Sequence, residues 1–320
     1  MNGDARRVRE RAPAKLNLGL RVVGRRPDGF HELDSLFAHL DLADELDASV
    51  VIDGRVGGPA MATTGTAVGA PADAADRLER RPAGDAWLDG RPLPLGPDNL
   101  VLRAFAAART ALGGALPPVH AVLAKRVPWG AGLGGGSADA AAALRAALRL
   151  APAPFDAVRL AEAIGSDVPF CLGGAAVARV GGRGERVAPL ALPAQSVVLV
   201  HPGVPVAAAD AYRWWAAAPV DVAPMDEAID AWRSGMVLPL ANALEPGVVA
   251  RVPEVADALA VLRSCAVGAV AMSGSGSTCF AVVADRAEGA AVAAAVAARR
   301  PDWWVRLAVA AAGGDGDAGT

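Results

Sequence analysis

One stretch, Pro128-Trp129-Gly130-Ala131-Gly132-Leu133-Gly134-Gly135-Gly136-Ser137-Ala138-Asp139-Ala140, restricts this chain more than any other. Five glycines fall within seven residues, and an alanine-rich segment, Ser137 to Leu150, follows at once. Glycine adopts left-handed backbone without a Cβ penalty, so the run makes a tight loop. The alanines after it favour a helix. Ser137 suits the N-cap and Asp139 the first turn. A glycine-rich loop feeding a helix start presents free backbone N–H groups and the positive end of the helix dipole, and these together cradle phosphate. A flexible turn before a helix is the competing reading, and it leaves so many glycines ahead of a capping Ser unexplained.

No Gly-Lys-Ser/Thr closes the loop, which excludes a P-loop of the Walker type. A G-x-G-x-x-G does occur at Gly130, Gly132 and Gly135. A dinucleotide site also needs an acidic residue at the end of a second strand about 20 residues on. Asp156 stands near that distance, but in Pro-Ala-Pro-Phe-Asp it reads as a helix start. The loop also comes late in the chain, whereas the dinucleotide fingerprint opens its domain.

At 320 residues the chain can hold one large or two ordinary domains. A net charge of −3 argues against nucleic acid or a membrane surface as partner. Cys171, Cys265 and Cys279 are odd in number and widely spaced, which signals neither a disulfide framework nor a zinc site. The basic start (Arg6, Arg7, Arg9, Arg11) has no apolar run behind it, so a cytoplasmic chain without a signal peptide is expected. Of 31 basic residues only Lys15 and Lys125 are lysine. In a chain biased so strongly to Arg, a surviving Lys marks a place where a compact ammonium is needed rather than a planar fork, or survives by chance. The four asparagines, Asn2, Asn17, Asn99 and Asn242, and the single Tyr212 invite the same scrutiny.

Ala12 to Val23 alternates as a strand, with Lys15 and Asn17 on one face. That pair suits a polar, anionic substrate; an exposed edge-strand face is the other reading. Pro27-Asp28-Gly29 is a tight turn that delivers Phe30 and His31 onto the next element. Ser35 to Ile52 reads as a strand pair, and residues 53–96 as an irregular or partly disordered insertion. Asp98 can cap a helix that runs to about Leu112 and opens at Asn99-Leu100. Val119 to Val127 is a strand carrying Lys125, read either as near a nucleotide or as a surface charge. Asp156 to Ile164 is a helix stopped by Gly165, and Asp167 follows it, as a cap or as a functional carboxylate. Gly173 to Leu190 reads as a hairpin, and a second unit starts near Ala194 with a strand over Val197 to His201. Tyr212, Trp214 and Trp215 cluster after it. Asn242-Ala243-Leu244-Glu245-Pro246 reads as structural. Met272-Ser273-Gly274-Ser275-Gly276-Ser277-Thr278-Cys279-Phe280 is a second small glycine loop between strands. Helices over Val255 to Ser264 and Ala287 to Ala298 and a strand over Trp303 to Val309 precede a floppy tail.

Three of these motifs resemble those of the GHMP kinases, which phosphorylate small molecules with ATP. Pro13 to Leu18 is similar to that family's first motif, Pro128 to Ala141 to its second, and Met272 to Phe280 to its third. Gly165-Ser166-Asp167-Val168-Pro169-Phe170 is similar to its catalytic-aspartate segment. The resemblance covers nearly the whole chain outside 53–96, and it is closest to a branch whose substrate is a cytidine-diphosphate sugar alcohol.

The resemblance implies an α+β fold of two domains, 1–190 binding ATP and 194–309 completing the enzyme. It places the active site in the interdomain cleft and leaves a disordered tail over 310–320. It implies Lys15 and Asp167 as catalytic residues, Lys15 also orienting Asp167, and Asn17 as a substrate ligand. ATP with Mg²⁺ would lie on Pro128 to Ala138, with Asn99 and Leu100 near the adenine and Lys125 near the nucleotide. Phe30, where the branch commonly has Tyr, would hold the cytosine with His31 and Tyr212. Ser273, Gly274, Ser275 and Gly276 would steady the phosphate loop and substrate. A monomer or weak homodimer is expected, and the Mg²⁺ ligands are not assigned. A GHMP kinase for mevalonate or homoserine and a non-catalytic nucleotide-binding protein are the alternatives.

Overall fold

The computed structural model describes residues 7–52, 55–56, 75–236, 240–266 and 268–311. In chain order these form β1 (Arg7–Arg25), β2 (His31–Ile52), β3 (Arg55–Val56), β4 (Arg77–Arg81), α1 (Ala86–Asp89), α2 (Leu100–Ala111) and β5 (Val119–Ala124). Then come α3 (Gly135–Leu150), α4 (Ala157–Ile164), α5 (Val168–Gly173), β6 (Val177–Gly182), β7 (Arg186–Leu190) and β8 (Gln195–His201). The rest is α6 (Ala208–Ala217), α7 (Met225–Arg233), α8 (Glu245–Val249), α9 (Pro253–Cys265), β9 (Val270–Met272), β10 (Cys279–Val283), α10 (Arg286–Arg299) and β11 (Trp304–Ala310). The mixed helices and strands make two compact units. The first takes the chain up to Ala12, Asp44–Arg126 and Gly136–Val168; the second takes Pro13–Ala43, Val127–Gly135 and Pro169 onward.

In the first unit β5 pairs antiparallel with the second half of β2, Glu45 opposite Ala124 and Val50 opposite Val119. β4 adds parallel to β5, Leu78 opposite Ala121. Phe105 and Val101 on α2 and Leu144 on α3 are buried with Leu46 and Leu123. The alanines 140–143, 146 and 147 of α3 are fully buried. Their small side chains let other elements approach this helix closely on most sides.

In the second unit the first half of β2 pairs antiparallel with β6, and β6 with β7. A further antiparallel set runs β11, β8, β10, β9, with Leu199 opposite both Arg306 and Phe280. Val197, Val198, Leu199 and Val200 are all buried, so both faces of β8 are covered. Val255, Leu259 and Leu262 of α9 and Val292 and Val296 of α10 join Val198 and Val200 in the core.

Several local expectations are corrected. Residues 35–52 form part of one strand instead of two, with 33–38 paired to β6 and 45–50 paired to β5 along a single continuous β2. Asp44 looks like a turn former and is instead a buried side chain. The segment expected to be irregular carries β3, β4 and α1; residues 53–54 and 57–74 lie outside the described residues. Asn99 rather than Asp98 caps α2, accepting from Val101 N at 3.0 Å. β5 ends at Ala124, which leaves Lys125 just beyond it. α3 starts at Gly135, so Ser137 is its third residue and not its cap. The expected tail lies outside the described residues beyond 311.

Candidate active site

Three segments meet within the second unit: β1 at Lys15 and Asn17, the loop 128–134, and the loop 273–278 between β9 and β10. Lys15 N donates to Leu133 O at 3.0 Å, and Thr278 N donates to Ala131 O at 3.1 Å. Asn17 N donates to Ser273 Oγ at 3.1 Å, and that hydroxyl donates to Gly132 O at 2.9 Å. Two glycines make this approach feasible. A Cβ on Gly132 (φ +76°) would lie 2.2 Å from Ser273 O, and one on Gly134 (φ +62°) would lie 2.5 Å from Lys15 Cγ. The glycines therefore bring the loop onto the strand that carries Lys15 as well as bending it.

Lys15 is 4% exposed, which rules out the exposed edge-strand face. Its Nζ donates to Asn17 Oδ1 and lies 4.5 Å from the Phe37 ring centroid. Asn17 Nδ2 donates to Ser35 Oγ at 3.1 Å, and Ser35 Oγ donates to Gly19 O. The amide is thus oriented with its oxygen on the ammonium, and the stem of Lys15 is held against Gly134.

In the first unit Ser137 and Ala138 lie in the opening turn of α3. A Cβ on Gly136 would lie 3.5 Å from Leu100 Cδ1, which brings the start of α2 to the start of α3. Asn99 spends its side chain on local structure, with Nδ2 donating to Pro94 O at 2.8 Å. Asp167 is half-buried and directly precedes α5. Lys125 is not a surface charge. It is 1% exposed, and Nζ donates to Asp139 Oδ2 at 2.8 Å and to Asp44 Oδ2. Burial alone would lower the Lys125 ammonium; the two carboxylates outweigh it and hold it above the ordinary lysine value.

In the second unit His31 stacks on Tyr212 with ring centroids 4.9 Å apart and 13° between planes, and it meets Trp215 edge-on at 5.4 Å. His31 Nε2 is buried with no hydrogen-bond partner among the described residues. Burial, and then Arg25, lowers the His31 pKa, so the ring is neutral at neutral pH. Phe30 is 47% exposed, with the Arg183 guanidinium over its ring at 5.1 Å.

The segment read as structural supports the second glycine loop. Asn242 Nδ2 donates to Met272 O at 2.8 Å and Gly274 O at 2.7 Å, and Glu245 Oε2 accepts from Met272 N at 2.9 Å. The Asn-Ala-Leu-Glu-Pro segment therefore braces the second glycine loop. His201 Nδ1 lies 2.9 Å from Ser277 Oγ in the same loop. Neither Ser35 nor Asp44 carries a local signal, because their partners are far away in sequence. Among the described residues no cluster of three or more His, Cys, Asp or Glu could hold a metal ion. None of the described helices is long and apolar enough to cross a membrane.

A profile described as "GHMP kinases N terminal domain" matches residues 99–175, and one described as "GHMP kinases C terminal" matches residues 225–302. A Deinococcus radiodurans protein named 4-diphosphocytidyl-2-C-methyl-D-erythritol kinase is 40% identical over 93% of this chain and 91% of its own. A Paracoccus denitrificans protein of the same name is 41% identical over 93% of this chain and 94% of its own. The crystal structure of a 4-(cytidine 5'-diphospho)-2C-methyl-D-erythritol kinase superposes with a TM-score of 0.73 at 34% identity, covering 95% of this chain and 99% of that one. L. major mevalonate kinase in complex with R-mevalonate has a TM-score of 0.64 at 13% identity, covering 96% and 97%, which is a likeness of fold alone.

Proposed function

The chain belongs to the GHMP kinases, and within them to the 4-diphosphocytidyl-2-C-methyl-D-erythritol kinase family; from that membership and this geometry we propose the reaction it catalyses. It transfers the γ-phosphoryl group of ATP to the 2-hydroxyl of 4-diphosphocytidyl-2-C-methyl-D-erythritol, giving the 2-phosphate and ADP. This is a step of non-mevalonate isoprenoid precursor synthesis, carried out in the cytoplasm by a monomer or weak homodimer. ATP arrives as its Mg²⁺ complex, and the cation would offset phosphate charge during the transfer.

The observation that carries the reading is the seat of Lys15. A buried ammonium is oriented by Asn17 and held against a left-handed glycine of the loop that leads into α3. Loop N–H groups and the α3 dipole hold the phosphates, and Lys15 stabilises charge that develops as the phosphoryl group transfers. Asp167 takes the hydroxyl proton as general base. The 1–190 segment holds ATP, and 194–309 supplies Ser273, Gly274, Ser275 and Gly276 beside the loop. The cytosine sits at His31 and Tyr212, where the unpaired Nε2 of a neutral His31 offers a hydrogen bond to a base edge. Phe30, exposed and facing Arg183, supplies a further stacking surface.

Lys15→Ala and Asp167→Asn should each lower kcat by about two orders of magnitude or more. ADP release under saturating MgATP measures both, and a near-normal rate in either variant removes that residue from its role.

A further inference from the structure

Lys125, Asp44 and Asp139 form a buried group that the reaction above leaves unused. Asp44 comes from β2, Lys125 from just beyond β5, and Asp139 from one turn into α3. All three are almost wholly inaccessible to solvent. Arg126 N donates to Asp44 Oδ1, while the Arg126 guanidinium is occupied by Glu45 at 2.7 Å. Asp139 Oδ1 has no partner among the described residues. Two carboxylates against one ammonium leave an excess negative charge without solvent to stabilise it. A single proton on the pair of carboxylates removes that charge and gives the orphan oxygen a use. Burial pushes the Asp139 carboxyl up to about 7 against the pull of Lys125, with Asp44 adding to the push.

This charge lies one turn behind the helix start that is assigned to ATP's phosphates. Phosphate oxygens at that start disfavour a further negative charge behind it, so nucleotide binding and protonation of the group help each other. Resting on the ATP assignment above, we propose that Lys125 and Asp44 are positioning residues which hold Asp139, and through it the opening of α3, and that the three groups share one proton taken up when ATP binds. Lys125 then serves the nucleotide from beneath the helix without touching it.

The test is calorimetric binding of the non-hydrolysable analogue Mg·AMP-PNP between about pH 8 and pH 9, above the range in which the nucleotide's own terminal phosphate titrates. Paired buffers of different ionisation enthalpy report proton uptake. The wild-type chain should take up a proton and bind several-fold more weakly at the top of that range. Asp139→Asn, nearly the same in shape, should bind with no uptake and a flat profile. Lys125→Met should raise KM for ATP by about tenfold with KM for the alcohol unchanged. A flat wild-type profile, which needs no variant to fold, overturns the inference, as does unchanged proton uptake in Asp139→Asn. Absence of AMP-PNP binding at every pH overturns the kinase reading itself, and this inference with it.

Discussion

Lys15 and Gly134 act as one unit. The lysine stem occupies the space that a Cβ on Gly134 would need, at 2.5 Å, and the glycine has φ +62°. Gly134→Ala should therefore cost about 1–2 kcal/mol from left-handed backbone alone, and should lower kcat further by displacing Lys15. Thermal unfolding separates the first effect from the second; an alanine variant with normal Tm and normal kcat contradicts the packing. His31 makes a second prediction at this scale. Its pKa lies below the ordinary 6.5 because of burial and Arg25, so the neutral ring persists through neutral pH. KM for the cytidine substrate should stay level there and rise as acid protonates the ring. A KM that is indifferent to acid, or a His31→Gln variant with the same acid response, speaks against a contact with the base. That Lys15 is no ordinary surface charge was legible in the sequence, since two lysines survive among so many arginines. Its burial was not, because residues 14–20 of β1 are covered on both faces and alternation alone predicts one exposed face.

β2 shows what a strand can conceal. Its 22 residues carry Asp41, Asp44 and Asp47, which locally suggest turns. Asp44 instead meets Lys125, and Asp47 accepts Arg9 at 2.9 Å with Arg7 and Arg81 nearby. These partners lie tens of residues away, so no local pattern announces them. Asp47 is pushed up by burial but is brought below 3.8 by Arg9, Arg7 and Arg81. The Arg126 hydrogen bond, against burial and with Arg81 adding, brings Glu45 below 4.5. A depressed folded pKa contributes stability that is present above the unfolded value and lost as pH falls through the folded one. The first unit should thus lose stability as pH falls below about 4, and Asp47→Asn should flatten that acid limb in a series of Tm against pH. A variant as acid-sensitive as the parent contradicts the ion-pair account. Added salt should shrink the effect only modestly, because Asp47 is buried.

At the scale of the whole molecule, the order of motifs was legible before any geometry: a Lys-x-Asn strand, a glycine loop into an alanine helix, an Asp after a helix stop, and a second glycine loop. The convergence of the Lys15 strand with the two glycine loops was less so. The bond from Asn17 N to Ser273 Oγ joins residues 256 positions apart, and Asn242 braces the loop that contains Ser273. Long-range bonds of this kind follow from sheet topology, which local periodicity does not encode. The substrate, too, is a property of the assembled protein, since fold likeness extends to mevalonate and homoserine kinases at low identity. One measurement tests the central claim most directly: ADP release from MgATP with 4-diphosphocytidyl-2-C-methyl-D-erythritol, mevalonate and homoserine as separate acceptors. Turnover with the cytidine substrate alone, abolished by Asp167→Asn, is the predicted result. Turnover with mevalonate or homoserine in its place would contradict the His31 and Tyr212 pocket, and no turnover with any of the three would contradict the kinase assignment.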